Sequence, residues 1–361
     1  MDKKVLNEVF LLRSIACLCI VLLHSITRVY TDESGIISYW KLFLSYGTPS
    51  FVFISELILA YAYPVTTPQG FLLKRIWFIL IPYLVFGILE AAIDTARPML
   101  EGNWLVFFKT TAFYLLLGEF PGYFVLVIFQ FYLLHLFCQK YVFHRFKPSM
   151  LLLSAFLINT LYLAFFNFTD PITTPVGAYI WERGYRLPFF GWIFYFMLAY
   201  YCGTRLRTLY STLHRFRWRL TGTVLVTAGM LVINTYFDVI SVISSKRVDM
   251  VLFCSAFVLW LLYVASRLKH ISNVLIKISQ YSFGIYLVHP LVFTVLYFGL
   301  RQFPWLRDNP VGVVLLFSVG LPLSMLAVYV VNRIPWGAFV IGRIGIGREG
   351  SSFRIGKNVM R

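Results

Sequence analysis

A chain of 361 residues that is 59% hydrophobic, 19% aromatic and only 13% charged, with a mean hydropathy of +0.76, is too apolar for a water-soluble domain of this length. The composition specifies an integral membrane protein. A formal net charge of +17 could suggest nucleic acid as a partner, but the way that charge divides between the loops, counted below, makes such a partner unnecessary.

Windows of about 19 residues predict ten spans, near 9–29, 42–62, 71–93, 121–139, 149–168, 188–205, 219–237, 250–266, 283–301 and 311–332. The runs have the length of helices, and lipid leaves no unpaired backbone group unpenalised, so the spans are expected to be α-helices and not barrel strands. The expected fold is therefore an all-α bundle of about ten transmembrane helices, one domain over 1–340, followed by a basic cytoplasmic tail at 341–361. No internal repeat and no hydrophilic insertion large enough to fold alone interrupts it.

Lys3 and Lys4 ahead of an apolar stretch imitate a signal peptide, but no small-x-small cleavage site follows and the stretch is long enough to span, so it is expected to stay as an anchor. Inside that first span stand Arg13 and His24. Eleven residues of helix turn the chain about 1100°, roughly 20° past three full turns, and advance it about 16 Å, so the two side chains share one face. Ionisable groups at membrane depth are costly unless they face a bundle interior or a wet cavity, and both are read as functional. Counted from the cytoplasmic side, Arg13 is roughly 6 Å deep and His24 roughly 22 Å deep. An arginine near the inner mouth suits phosphate or carboxylate through its planar fork. A histidine farther out suits proton transfer from a hydroxyl, or else packs on a neighbouring backbone group.

Glu56 in the second span is placed roughly 9 Å from the inner face, where it is expected to pair with Arg13. Glu90 in the third is placed roughly 28 Å from that face, where it is expected to orient the imidazole. The loop 94–120 contains an apolar run, 104–117, too short to cross comfortably and expected to lie at the interface or re-enter as a roof over a cavity. The loop 169–187 mixes aromatic rings and charges, which suits carbohydrate but also any membrane-interface belt, the simpler reading. The segment 205–219 is a basic amphipathic connector expected to meet lipid headgroups. His289 precedes Pro290 near the inner end of the ninth predicted span, and Tyr286 and His289 are expected to satisfy backbone freed by the proline. The G-x-G-x-x-G at 345–350 follows no strand and is given no weight.

With the N-terminus inside, the inner segments carry 21 Lys and Arg, and the outer segments carry ten, matched by ten acids. The basic excess is topological and sets an N-in, C-in, multi-pass protein of the cell membrane whose inner surface attracts anionic lipid. Cys17, Cys19, Cys138, Cys202 and Cys254 lie within or at the edges of spans without metal-binding spacing, so neither a disulfide framework nor a metal site is expected.

Three segments resemble the acyltransferase 3 family of membrane O-acyltransferases: Arg13-x10-His24, like that family's first-helix Arg/Lys-x10-His; Gly47-Thr-Pro-Ser-Phe-Val-Phe-Ile-Ser55; and Tyr281-Ser-Phe-Gly-Ile-Tyr-Leu-Val-His-Pro290. The resemblance covers nearly the whole chain. It implies an acyl-CoA or similar thioester as co-substrate, with no bound cofactor, whose phosphates approach Arg13, Lys74 and Arg75. It also implies His24 as the base that deprotonates a hydroxyl of an outer glycan or glycolipid, with Ser50 steadying the oxyanion. Glu56, Tyr286 and His289 are then supporting residues. The chain departs from the family at one point: where many members carry Arg-x-x-Arg before the third span, it has Arg75 and then Phe78. A polysaccharide or small-molecule exporter is the second reading, weakened by the lack of repeated halves.

Overall fold

The computed structural model describes residues 3–31 and 35–345, with side chains from Asn7 onward. Among these residues every regular element is helical. In chain order they are α1 (Lys3–Val29), α2 (Ile36–Leu44), α3 (Gly47–Ala62), α4 (Phe71–Arg75), α5 (Ile81–Asp94), α6 (Ala96–Leu100), α7 (Trp104–Leu117), α8 (Phe124–Tyr141), α9 (Pro148–Phe168), α10 (Pro175–Glu182), α11 (Ile193–Thr204), α12 (Leu206–Arg215), α13 (Arg217–Tyr236), α14 (Met250–Arg267), α15 (Asn273–Leu300), α16 (Pro310–Arg333) and α17 (Gly337–Ile341). Several starts follow from side-chain chemistry. Thr174, Ser272 and Asn309 each accept a backbone N–H of the helix they cap, and Pro at the first turn opens α9, α10 and α16.

Among the described residues eight helical segments are long and apolar enough to cross a membrane, and a ninth is counted if α12 and α13, which meet at 80°, form one span. Nine of the ten predicted spans fall on these segments. The tenth, 188–205, is a helix of 12 residues, Ile193–Thr204, because its first part is spent on a 3-10 turn at Phe189–Gly191. The sharp bend sets the basic connector α12 across the end of the bundle, with Leu206 and Leu213 buried and its charges outward. The run 104–117 is not a roof. It is α7, none of whose residues is buried; it packs along α5 and leads through a break at 118–123 into α8, so that 104–141 form one apolar segment of 38 residues.

The centre of the bundle is α1, which packs on α15, α3, α16 and α14. Gly47 at the start of α3 explains one close approach: a Cβ there would lie 2.8 Å from the Ala16 carbonyl oxygen and 2.9 Å from Ile20 Cγ1. Gly47→Ala is therefore expected to push α3 off α1 between Arg13 and His24, at an overpacking cost of about 1–3 kcal/mol, read as a lowered melting temperature of the detergent-solubilised protein. Between α4 and α5 the third span passes through a π-helical turn, Ile76–Leu80. Pro82 lacks the N–H that would bond to the Phe78 carbonyl, and the widened turn accommodates that lost bond directly after Lys74 and Arg75.

Candidate active site

A cavity of about 850 Å³ runs through the bundle, within the size range of ligand pockets and far beyond a packing defect. Its walls change character along its length. At the end nearer the N-terminus they carry Arg13, Lys74, Arg75 and Arg343; at the other end they carry Glu119, Glu182, Arg183 and Arg186; His24, Thr48 and Tyr286 lie between. Arg13 and His24 thus open onto one space, as their shared helical face requires.

Two contacts join α1 to α15 along this space. Arg13 Nη2 donates to Ser282 Oγ at 2.8 Å. The His24 ring meets the His289 ring edge to face, with centroids 5.0 Å apart. His289 is fully buried, and its Nδ1 lies 2.8 Å from the Ile285 carbonyl oxygen. A carbonyl only accepts, so Nδ1 carries the proton and Nε2 presents a bare lone pair. That Nε2 is buried without a partner.

At the cationic end the Arg75 guanidinium is stacked over Phe71 (4.9 Å) and Tyr132 (5.0 Å), with its Nε buried and unpartnered. Arg343 lies over the Phe78 ring at 3.6 Å, and the Gly345 N–H donates to the Gln280 carbonyl at 3.2 Å, so residues 341–345 fold back against the bundle. Burial lowers the pKa of Arg343 from its usual value. At the opposite end Arg183 pairs with Glu119, which raises the arginine's pKa, and Arg186 lies over Tyr123 at 4.4 Å. Behind them Lys246 is buried over the Trp192 ring at 3.5 Å, and desolvation pushes its pKa well below the ordinary lysine range.

An acyltransferase domain of the acyltransferase 3 type is matched over residues 6–331. The chain belongs to the acyltransferase 3 family. It is 34% identical over 351 residues to the "Putative membrane-bound acyltransferase YfiQ" of Bacillus subtilis (strain 168), covering 94% of this chain and 95% of that protein. It is 28% identical over 341 residues to the "Probable poly-beta-1,6-N-acetyl-D-glucosamine export protein" of Staphylococcus aureus (strain Mu50 / ATCC 700699), covering 90% and 92%. The protein of the same name from Staphylococcus epidermidis is 28% identical over 365 residues, covering 94% and 96%. No solved structure matches at a significant level. The chain is a multi-pass membrane acyltransferase.

Against the family motifs, several expected positions need correction. Glu56 does not pair with Arg13: it is buried against His135, with Oε1 2.7 Å from Nδ1, a contact between α3 and α8. Glu90 is absent from the cavity wall, and its charged neighbours are Asp94 and Arg28 near the far end of α5. The imidazole is therefore oriented against His289 and not against a carboxylate. Ser50 is buried and donates its hydroxyl proton to the Tyr46 carbonyl at 2.9 Å, whereas Thr48 of the same motif lines the cavity. Tyr286 does not repair the proline kink. Its hydroxyl donates to the Pro121 carbonyl at 2.6 Å and accepts the Phe124 N–H at 3.3 Å, which fixes the break between α7 and α8. His289 does bond its own helix, but it stands mid-helix at the level of His24, because α15 begins at Asn273, ten residues before the predicted span.

Arg343 is the residue that sequence reasoning missed. It lies in the predicted tail, yet its guanidinium covers Phe78, three residues after Arg75. The remainder of that tail, including most of the G-x-G-x-x-G, lies outside the described residues. Among the described residues no cluster of His, Cys, Asp and Glu has the spacing of a metal site. The five cysteines are free.

Proposed function

We propose that this acyltransferase moves an acyl group of the acetyl or succinyl class from a cytosolic acyl-CoA to a hydroxyl of an extracytoplasmic glycan or glycolipid, in the cell membrane and with both described ends of the chain facing the cytosol. The single observation that carries the reading is the one cavity that holds Arg13 and His24 and reaches charged groups at both ends. In this reading Arg13, Lys74, Arg75 and Arg343 hold the donor's phosphates. The ~16 Å from Arg13 to His24 is about the reach of an extended pantetheine arm, which brings the thioester to the imidazole.

His24 accepts the proton of the acceptor hydroxyl as its oxygen attacks the thioester carbonyl. The carbon–sulfur bond breaks, the ester forms, and the proton passes from the imidazolium to the departing CoA thiolate. Thr48 is the hydroxyl placed to donate to the developing oxyanion. His289, with its proton fixed toward Ile285, offers Nε2 as the acceptor that steadies the imidazolium. His289→Ala is expected to lower kcat on the order of tenfold to a hundredfold at unchanged donor KM, while Glu90→Gln leaves both within about twofold. Initial rates in nanodiscs check both.

The deciding experiment incubates the nanodisc-reconstituted protein with radiolabelled acetyl- or succinyl-CoA and a panel of sugar polymers. Label on the polymer, lost in His24→Ala, supports the reading; equal labelling by wild type and variant removes it. The printed names of the staphylococcal relatives favour export as the second reading. An exporter moves polymer across the membrane without changing its ester content, which mass spectrometry of the moved polymer decides.

A further inference from the structure

The two ends of the cavity differ in a way that selects their ligands. The end lined by Arg13, Lys74, Arg75 and Arg343 has no carboxylate among the described residues of its wall, so a polyanion meets only cations there. The other end has Glu119 and Glu182 interleaved with Arg183 and Arg186. A phosphate at this second end would be repelled by two carboxylates and would have to compete with Glu119 for Arg183. An uncharged ligand with its own donors and acceptors meets no such obstacle.

Two wall side chains at this end, Glu119 and Arg186, carry buried polar atoms without a close partner, and the Tyr179 hydroxyl beside Glu119 is a third such atom. Glu119 Oε1 has only the Tyr179 hydroxyl near it, its other oxygen being held by Arg183 Nη1; Arg186 Nε lacks an acceptor, although Nη2 of the same guanidinium reaches the Gly118 carbonyl at 3.4 Å. Buried polar atoms left without partners are costly, and native structures rarely carry them without a use. Here the two wall side chains are already fixed in place. Glu119 is held by its ion pair, and Arg186 by stacking on Tyr123. The backbone is fixed as well. Gly118 has φ +63°, and a Cβ there would lie 2.6 Å from Tyr123 Cβ, so only glycine makes this turn and sets Glu119 on the wall. Phe120 and Tyr123 line the wall beside these atoms, Tyr123 with Arg186 on its ring and Phe120 packed on Tyr83 and Tyr114.

A carboxylate acceptor and a guanidinium donor side by side match the adjacent hydroxyls of a pyranose, since each hydroxyl can give one hydrogen bond and take others. We infer that Glu119, braced by Arg183, and Arg186, braced on Tyr123, form the subsite that binds the acceptor as an uncharged saccharide with adjacent hydroxyls. This inference rests on the acyltransferase reading above and extends it to the residues that choose the acceptor. None of these residues touches the reacting atoms; they hold the sugar so that one of its hydroxyls faces His24.

The test uses the full chain in nanodiscs with soluble oligosaccharides of β-1,6-linked N-acetylglucosamine, whose free 3- and 4-hydroxyls are adjacent. Glu119→Gln and Arg186→Gln are compared with wild type and with Arg97→Gln, a change in an exposed pair with Glu101 away from the cavity. The expected result is a rise of at least about tenfold in the acceptor KM for the two cavity variants. Donor KM and acceptor-independent hydrolysis of acyl-CoA are expected to stay within about twofold, and Arg97→Gln to behave as wild type. Saccharide binding by saturation-transfer NMR, which needs no turnover, is expected to weaken in the same two variants. Unchanged acceptor KM and unchanged saccharide binding in both folded variants would overturn the subsite. Wild-type protein that binds the saccharide through these residues but transfers no acyl group would leave the subsite standing and remove the acyltransfer reading.

Discussion

His24→Ala is expected to lower acyl transfer by about 10²- to 10⁴-fold, the range general base catalysis supplies, with little change in donor KM. The reason is positional. His24 stands between the cationic end of the cavity and the end that carries Glu119 and Glu182, and the side chains nearest in role are already committed: His289 Nδ1 to Ile285, Tyr286 to the turn at 121–124, Ser50 to Tyr46. The bare Nε2 of His289 is the other acceptor at that level, but its ring is buried and absent from the cavity wall, so His24 is the one that meets the hydroxyl. The imidazole is half-buried against His289, so its removal leaves a gap and no unpaired charge, and the variant is expected to melt within a few degrees of wild type. Initial rates with radiolabelled acyl-CoA, together with the melting curve, separate loss of chemistry from loss of fold.

Arg13→Ala is expected to act on the donor. A charge-assisted hydrogen bond to phosphate or carboxylate is worth about 1.5–3 kcal/mol, which corresponds to a rise in donor KM of roughly tenfold to more than a hundredfold. Arg13→Lys keeps the charge but loses the fork that reaches Ser282 and ligand together, so an intermediate KM is expected. Protection of the protein by free CoA against thermal unfolding gives the same ranking without turnover. An Arg13 that served only to tie α1 to α15 would instead lower stability and leave donor KM in place.

Much of this was legible in the sequence because lipid leaves few choices. Runs of apolar residues with helix length have to be helices, and two ionisable groups on one face of the first span have to face something other than lipid; the cavity is what they face. The span at 188–205 was harder, since a 3-10 turn carries the same apolar residues as a helix and only its backbone distinguishes the two. Depth arithmetic failed for the carboxylates for another reason. Rise per residue fixes the height of Glu56 and Glu90 but not the direction in which they point. Glu56 turns to His135 on α8, a residue that no spacing within one helix could connect to it. Ser50 and Thr48 are two residues apart in one motif, and the helical turn between them decides which one reaches the cavity. Arg343 was out of reach for a third reason. Its role depends on the chain turning back after α17 onto Phe78, a contact across 265 residues of sequence that composition does not encode.

The cationic cluster built by that return also gives a simple account of the departure from Arg-x-x-Arg. A guanidinium is held beside position 78, but it arrives from the other end of the chain and rests on Phe78. Arg343→Gln is accordingly expected to raise donor KM about tenfold, as loss of one charge-assisted contact would, in the assay used for Arg13. A variant with unchanged KM would assign the stacking on Phe78 to structure alone.

The central claim is that donor and acceptor meet at His24 from opposite ends of one cavity. Sealed proteoliposomes holding oligosaccharide in the lumen, with radiolabelled acyl-CoA added only outside, test it most directly. The expected result is labelled ester on the enclosed saccharide, absent with His24→Ala. Label appearing only on saccharide supplied on the same side as the donor, or appearing in the lumen equally with His24→Ala, would contradict it.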